Sequence, residues 1–216
     1  DKQALDFDPV PSNGDLTIPI CVDTIDKPLV RRQAQPRRVT FLGGLHWPPN
    51  ADGVIWFTKE VWPQVLKHVP DARLTVIGKD PPGFLLNPNN DISNLDVTGY
   101  IDDPEPLLAE TAVFIVPLHA GGGMRVKIVD AWSWGLPIVS TTIGAEGIDY
   151  QDGEDLIIAD GEANFAQAVV RVLTQPIVAD HLSRNGRQKV ETVYDWRTTY
   201  KAWNQVYPVD AEETEA

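Results

Sequence analysis

Apolar positions along the chain follow two rhythms, and the changes between them mark out the elements. Arg38-Val39-Thr40-Phe41-Leu42 is a short β-prone run closed by Gly43-Gly44. After Pro48-Pro49-Asn50, the residues Val54, Phe57, Val61, Trp62, Val65, Leu66 and Val69 recur every three or four positions, which predicts a helix with one buried face. Asn50 or Asp52 is the expected cap of its start. Pro63 predicts a kink or break, because proline lacks an N–H and its ring meets the carbonyl four residues back. Leu74–Gly78 and Leu95–Gly99 read as the second and third strands, with a proline- and asparagine-rich loop between them. A short helix over Pro104–Glu110 leads to the fully apolar strand Val113–Val116. A helix from about Arg125 to Trp134, a strand at Pro137–Ser140, a strand at Leu156–Ile158 and a helix from about Glu162 to Leu173 complete the alternation.

Short, wholly apolar strands alternating with amphipathic helices predict a Rossmann-like, doubly wound parallel sheet covered on both faces. In such sheets ligands sit beyond the carboxyl ends of the strands. The loops at Gly43-Gly44, Gly99-Tyr100, Gly121–Gly123 and Thr141–Gly144 all follow strands, so they are expected to face one crevice. Residues 1–36 carry Pro9, Pro11, Pro19, Pro28 and Pro36 with no sustained period, and read as an arm or linker before a domain over 37–190. Val193, Trp196, Tyr200, Trp203 and Tyr207 form a stripe at helical spacing over 191–207. That stripe packs either on its own domain or on another one. Residues 208–216 read as an acidic, disordered tail.

Charge narrows the partners. A formal net charge of −13 argues against broad nucleic-acid binding, which needs a basic surface. No apolar run is long enough to span a bilayer, so no transmembrane segment is expected. The single Cys21 allows no internal disulfide and suits a reducing, cytoplasmic setting. Asp1 opens the chain, from which we expect a fragment or a processed protein.

An acidic chain can still hold a small anion where a few cations and backbone N–H groups converge. Gly121-Gly122-Gly123 lies between an apolar strand and a helix, and glycines let a ligand approach the backbone closely. The helix N-terminus adds unpaired N–H groups and partial positive charge. Arg125 and Lys127 place two cations in the first helical turn, where cations are ordinarily unfavourable, and an anion there would relieve the conflict. Asp130, three residues after Lys127, sits where a carboxylate can accept hydrogen bonds from two ribose hydroxyls. The plainer reading is a surface pair of Lys127 with Asp130, contributing no more than ~0.5 kcal/mol. The segment is neither a Walker loop nor a G-x-G-x-x-G turn.

Gly121-Gly122-Gly123-Met124-Arg125-Val126-Lys127-Ile128-Val129-Asp130-Ala131, followed by Gly135-Leu136-Pro137-Ile138-Val139-Ser140-Thr141, resembles a known signature, G-G-G-T-R-L-K-I-L-E-A-M-A-x-G-x-P-V-V-S-T. It belongs to the C-terminal domain of group 1, retaining glycosyltransferases of GT-B fold. Phe41-Leu42-Gly43 with Pro49-Asn50, Val76-Ile77-Gly78, Val97–Asp103, and Gly144-Ala145-Glu146-Gly147-Ile148 are similar to further family segments in the same order. Ile18-Pro19 with Val22-Asp23 resembles the interdomain linker, so the likeness runs from about residue 18 to 205.

The resemblance implies one half of a GT-B enzyme, binding a nucleoside-diphosphate sugar for retaining hexosyl transfer to an unidentified acceptor. The acceptor-binding N-terminal domain would be a partner outside this chain, contacted by the terminal helix, and this half alone is expected to be inactive. Donor binding would need no metal or other cofactor. Arg125 and Lys127 would carry the catalytic charge. Gly43, Gly44, Tyr100, Ile101, the three glycines, Asp130 and Glu146 would line the donor site. Tyr100 and Ile101 match the position whose backbone reads the base, and a plain strand-end role also fits them. Glu146 would meet the sugar or cap the next segment. Gly122 and Asp130 stand where many relatives carry a Glu pair, and the first loop lacks the Arg and Lys of those relatives. His46 and His119 read first as surface residues, and Trp132 and Trp134 as packing. The full-length enzyme would be cytoplasmic, with attachment to a membrane surface left open. A non-catalytic receiver or interaction module and a sugar-nucleotide epimerase-like domain are the rival readings.

Overall fold

The structure, a computed structural model, describes residues 19–27, 29–32, 36–90 and 92–202. Six strands alternate with helices: β1 Arg38–Leu42, α1 Pro48–Trp56, α2 Trp62–His68, β2 Arg73–Ile77, α3 Gly83–Leu86, β3 Leu95–Gly99, α4 Glu105–Ala109, β4 Thr111–Val116, α5 Val126–Ser133, β5 Ile138–Ser140, β6 Ile157–Ile158, α6 Glu162–Thr174, α7 Pro176–Lys189 and α8 Trp196–Thr199. All ladders are parallel and the strand order is β3-β2-β1-β4-β5-β6, the doubly wound sheet expected from the apolar runs.

Why the strands are mostly apolar is visible in the two cores. Successive side chains on a strand point to opposite faces. Val113, Ile115 and Val139 join one cluster with Phe57, Trp62 and Phe165, whereas Phe114, Val116 and Ile138 join the other with Ile128, Trp132 and Tyr194. Both faces are covered, so the few polar strand residues that are buried find partners: the Thr40 and Thr111 hydroxyls pair with each other, and the Ser140 hydroxyl donates to the Thr141 carbonyl.

The Pro63 region resolves without a sharp break. Between α1 and α2 the chain makes a π-turn over Phe57–Val61, with the Trp62 N–H donating to the Phe57 carbonyl five residues back. The widened turn takes up the residue that the proline ring would otherwise push against. Asn50 and Asp52 do not cap α1: its N-cap is Trp47, with no side-chain hydrogen bond, and Pro48 occupies the first turn, where a missing N–H costs nothing. The helices α3 and α7 have no counterpart in the periodicity reading. The mean polarity of α7 hides a narrow buried stripe of Ala179, Leu182 and Gly186.

The expected single terminal helix is interrupted. A π-turn over Val190–Tyr194 ends at Asp195, which is extended, and α8 then restarts. The cause is competition for hydrogen bonds. Val22 N–H donates to the Tyr194 carbonyl and Trp196 N–H to the Val22 carbonyl, while Asp195 accepts from the Arg197 N–H and from Thr24. Arg197 and Trp196 also donate to Asp23 and hold its carboxyl well below the usual range. The stripe is therefore split: Trp196 and Tyr200 are exposed and stack edge to face, and Trp203, Tyr207 and the acidic tail lie outside the described residues.

One glycine tests this packing. A Cβ at Gly186 would sit 2.2 Å from Cδ1 of Trp132, a fully buried indole held by its N–H to the Asp155 carbonyl. Alanine gains about 1 kcal/mol of helix propensity, but overpacking a core costs about 1–3 kcal/mol. Gly186→Ala is expected to lower unfolding free energy by up to about 2 kcal/mol in urea titration. A rise in stability would reject close packing here.

Candidate functional site

The chain runs from β1 outward to β2 and β3, then returns to the other side of β1 as β4 and continues to β5 and β6. The loops after β1 and β4 thus diverge above neighbouring strands, and this switch point is where doubly wound sheets open a crevice. Here the crevice walls are residues 43–47 and 117–125. Their backbones are closely packed beneath: a Cβ at Gly78 would lie 2.0 Å from the Gly43 carbonyl oxygen, and one at Gly53 2.3 Å from that of Pro117.

Lys127 crosses this switch point. It leaves the first turn of α5, and its Nζ donates to Asn50 Oδ1 at 2.6 Å and lies 4.4 Å from the Phe41 ring centroid. Asn50 is itself fixed by donating to the Gly44 carbonyl at 2.8 Å. A Cβ at Gly43 would come within 2.8 Å of the same Nζ. Burial lowers the Lys127 pKa from 10.5 to about 7, and the nearby Arg125 charge adds to the effect. The cation missing from the first loop is thereby brought to it from α5.

Arg125 behaves differently. Its guanidinium turns inward, 4% exposed, and donates to the carbonyls of Gly122, Gly123 and Ile143 and more distantly to Glu146 Oε2. Among the described residues its Nε is buried with no partner. Arg125 therefore gathers the glycine loop and the Ile143–Glu146 loop around one charge. Gly121 and Gly123 have φ of 123° and 81°, a region open to glycine and unfavourable to other residues. Among the described residues the N–H groups of Gly122, Gly123 and Met124 donate to no backbone carbonyl, and the three glycines are exposed. Trp47, on the opposite wall, approaches Gly121 so closely that a Cβ there would lie 2.9 Å from the indole.

Asp130 and Lys127 do not pair, which removes the surface-pair reading. Lys127 goes to the first loop, and Asp130 Oδ1 accepts instead from Lys27 of the segment before β1. Tyr100 is exposed and Ile101 half-buried at the end of β3, with Gly99 at positive φ and its carbonyl accepting from the Gly78 N–H. Glu146 is exposed apart from its contact with Arg125. His46 is exposed beside Gly44, and His119 is exposed with its ring edge-on to Trp56. Trp132 is core.

Sequence reading missed three of these roles. Lys27 carries no local signal, being 103 residues from Asp130. Asn50 was legible as a helix-start residue and as part of the Pro49-Asn50 resemblance, but not as the partner of Lys127. Trp47 was legible only as part of the first loop. A separate cavity of about 550 Å³ borders Arg32, Arg37, Leu173 and Asp180, but Arg32 already pairs with Asp180 and Arg37 with Asp71 and the Leu173 carbonyl. Among the described residues no group of three His, Cys, Asp or Glu could hold a metal ion, and no helix is long and apolar enough to cross a membrane.

Comparison with known proteins converges on one family. A family model described as "Glycosyl transferases group 1" matches residues 36–175. An uncharacterized 44.6 kDa protein of the cps region of Klebsiella pneumoniae is 29% identical over 171 residues, covering 76% of this chain and 44% of that protein. The chain thus spans less than half of that relative's length. Among solved structures, sucrose-phosphate synthase from Thermosynechococcus elongatus superposes with a TM-score of 0.70 at 18% identity, over 96% of this chain and 55% of the other. Anabaena HepE, solved in complex with UDP and glucose, gives 0.63 at 13% identity over 82% and 49%. At these identities the structural likenesses speak for the fold alone.

Proposed function

The chain belongs to the group 1 glycosyltransferases, and we propose that it is the half of such an enzyme that binds a nucleoside-diphosphate sugar, for retaining transfer of a hexosyl group. The observation that carries this reading is the reach of Lys127 across the switch point to Asn50 and Gly43, which sets a cation between the two loops of the crevice. HepE, of similar fold, is solved in complex with UDP and glucose, which agrees with a nucleoside diphosphate as the class of ligand.

In this reading the Lys127 ammonium and the N–H groups of Gly122, Gly123 and Met124, which donate to no carbonyl among the described residues, receive the diphosphate. Bond cleavage at the anomeric carbon moves negative charge onto the leaving diphosphate. Donors already in place stabilise that charge more than the ground state, which is what lowers a barrier. Arg125 acts one step back: it holds the loop in a donating shape and adds positive potential without turning outward. Asp130 accepts the ribose hydroxyls, and the β3 end at Tyr100 and Ile101 lies where the base is read. No step calls for a metal. The acceptor is positioned by a domain outside this chain, in an enzyme we place in the cytoplasm, so this chain alone is expected to show no transfer at enzyme rates.

Calorimetric titration with UDP, GDP and ADP tests the site itself. At least one is expected to bind with Kd below roughly 1 mM, about −4 kcal/mol. If none binds at millimolar concentration, the donor-site assignment is lost.

A further inference from the structure

Lys27, in the segment before β1, reaches Asp130 of the proposed donor site. Lys27 Nζ pairs with Asp130 Oδ1 and lies 5.6 Å from the Trp134 ring centroid. Its backbone N–H and C=O are both held. The Lys27 N–H donates to the Asp23 carbonyl, inside a turn where Asp23 Oδ1 accepts from the Ile25 and Asp26 N–H groups. Arg187 donates to the Lys27 carbonyl, and also to those of Thr24 and Ser133. This fixation matters because a lysine side chain loses much rotamer freedom when held in one geometry, and an exposed pair alone rarely repays that loss. Here the backbone is ordered already.

We propose that Lys27 is a positioning residue for the donor's ribose: it holds one oxygen of Asp130 and leaves the other to accept a sugar hydroxyl. The inference rests on the donor-site reading above. Two physical needs are met at once. A carboxylate beside a diphosphate repels it, and the Lys27 charge cancels that repulsion where water is partly excluded. A carboxylate held by one oxygen also keeps its second oxygen in a set direction, and among the described residues Oδ2 has no hydrogen-bond partner. Because Asp130 is shorter than glutamate, its orientation matters more for reaching a hydroxyl. The Lys27 side chain is about two-fifths exposed, so its removal leaves the core untouched.

The experiment compares, by calorimetry on the whole chain, the tightest-binding of UDP, GDP and ADP with its 2′-deoxy analogue. The unaltered protein is expected to favour the ribose form about tenfold, the worth of one charge-assisted hydrogen bond. Lys27→Met and Asp130→Asn are both expected to bring the ratio of the two affinities toward one, and Lys27→Arg to restore part of it. A general loss of structure would weaken both nucleotides equally, so the ratio separates positioning from folding. The proposal is overturned if Lys27→Met keeps the ratio while Asp130→Asn abolishes it. Tighter ribose binding in Lys27→Met would also overturn it, because Lys27 would then be a competitor for Asp130. If Asp130→Asn leaves the ratio intact while the nucleotide still binds, the ribose role falls but the donor site stands. Absence of any binding by the unaltered protein defeats the donor-site reading instead.

Discussion

Arg125→Ala is expected to cost about 2–3 kcal/mol of unfolding free energy and to weaken nucleoside-diphosphate binding at least tenfold. The reason lies in the number of acceptors gathered by one side chain. The guanidinium serves Gly122, Gly123 and Ile143 carbonyls together, with Glu146 at the margin, from a nearly fully buried position. Hydrogen bonds to a charged group contribute about 1.5–3 kcal/mol, and water re-pairs part of the loss because Gly122, Gly123 and Ile143 are themselves exposed. Without the charge, the glycine loop loses the contacts that hold its N–H groups in one direction, so stability and affinity fall together. Arg125→Lys should recover little, since a single ammonium cannot span acceptors arranged for a planar fork. Chemical denaturation and nucleotide titration check both halves. A variant within 0.5 kcal/mol of the parent would show that the loop holds itself.

Lys127→Met is expected to do the opposite to stability and the same to binding. With its folded pKa lowered from 10.5 to about 7, Lys127 is charged below pH 7 at a cost to the fold. Between pH 7 and 10.5 the unfolded chain binds more protons at this residue, so its contribution makes stability rise with pH over that window, and the contribution levels off at its lowest below about pH 7. Methionine removes the buried charge and fills similar space, and should stabilise the protein by about 1–3 kcal/mol at pH 6. A bound diphosphate favours the ammonium and raises its pKa. Binding by the parent protein should therefore take up a proton above pH 7, with affinity falling up to tenfold per pH unit there. The variant should bind at least tenfold more weakly at pH 6 and show a flatter profile. Titrations from pH 6 to 9 in two buffers of different ionisation enthalpy would reveal the proton uptake. Equal pH profiles for parent and variant would remove Lys127 from the diphosphate.

Both effects trace to a helix that begins with two cations where the helix dipole disfavours them. Arg125 and Lys127 were legible as an anomaly at once, and the glycine run beside them as an anion cradle. The separation of their roles was not legible. One side chain turns in to bind carbonyls and the other crosses to the neighbouring loop, and only the packing of β1 against β4 decides which. Asp130 is a similar case. Its spacing from Lys127 suggested a pair, yet the structure supplies Lys27 from the far end of the chain.

The local rhythms of the chain were enough for the strands, most helices and the doubly wound class, because apolar burial on two faces leaves a period that neighbouring residues share. The motifs from Gly121 to Thr141 were enough for the family, because close backbone approach and helix-end charge require particular residues at short spacing. Three features needed the tertiary structure: the break at Asp195, the placement of Asn50 beneath Lys127, and the hold of Lys27 on Asp130. Each depends on hydrogen bonds between residues 77 or more positions apart, or on Val22 and Thr24 competing with helix amides across the fold. Such bonds leave no period and no local composition. They exist only once the sheet has brought its loops together.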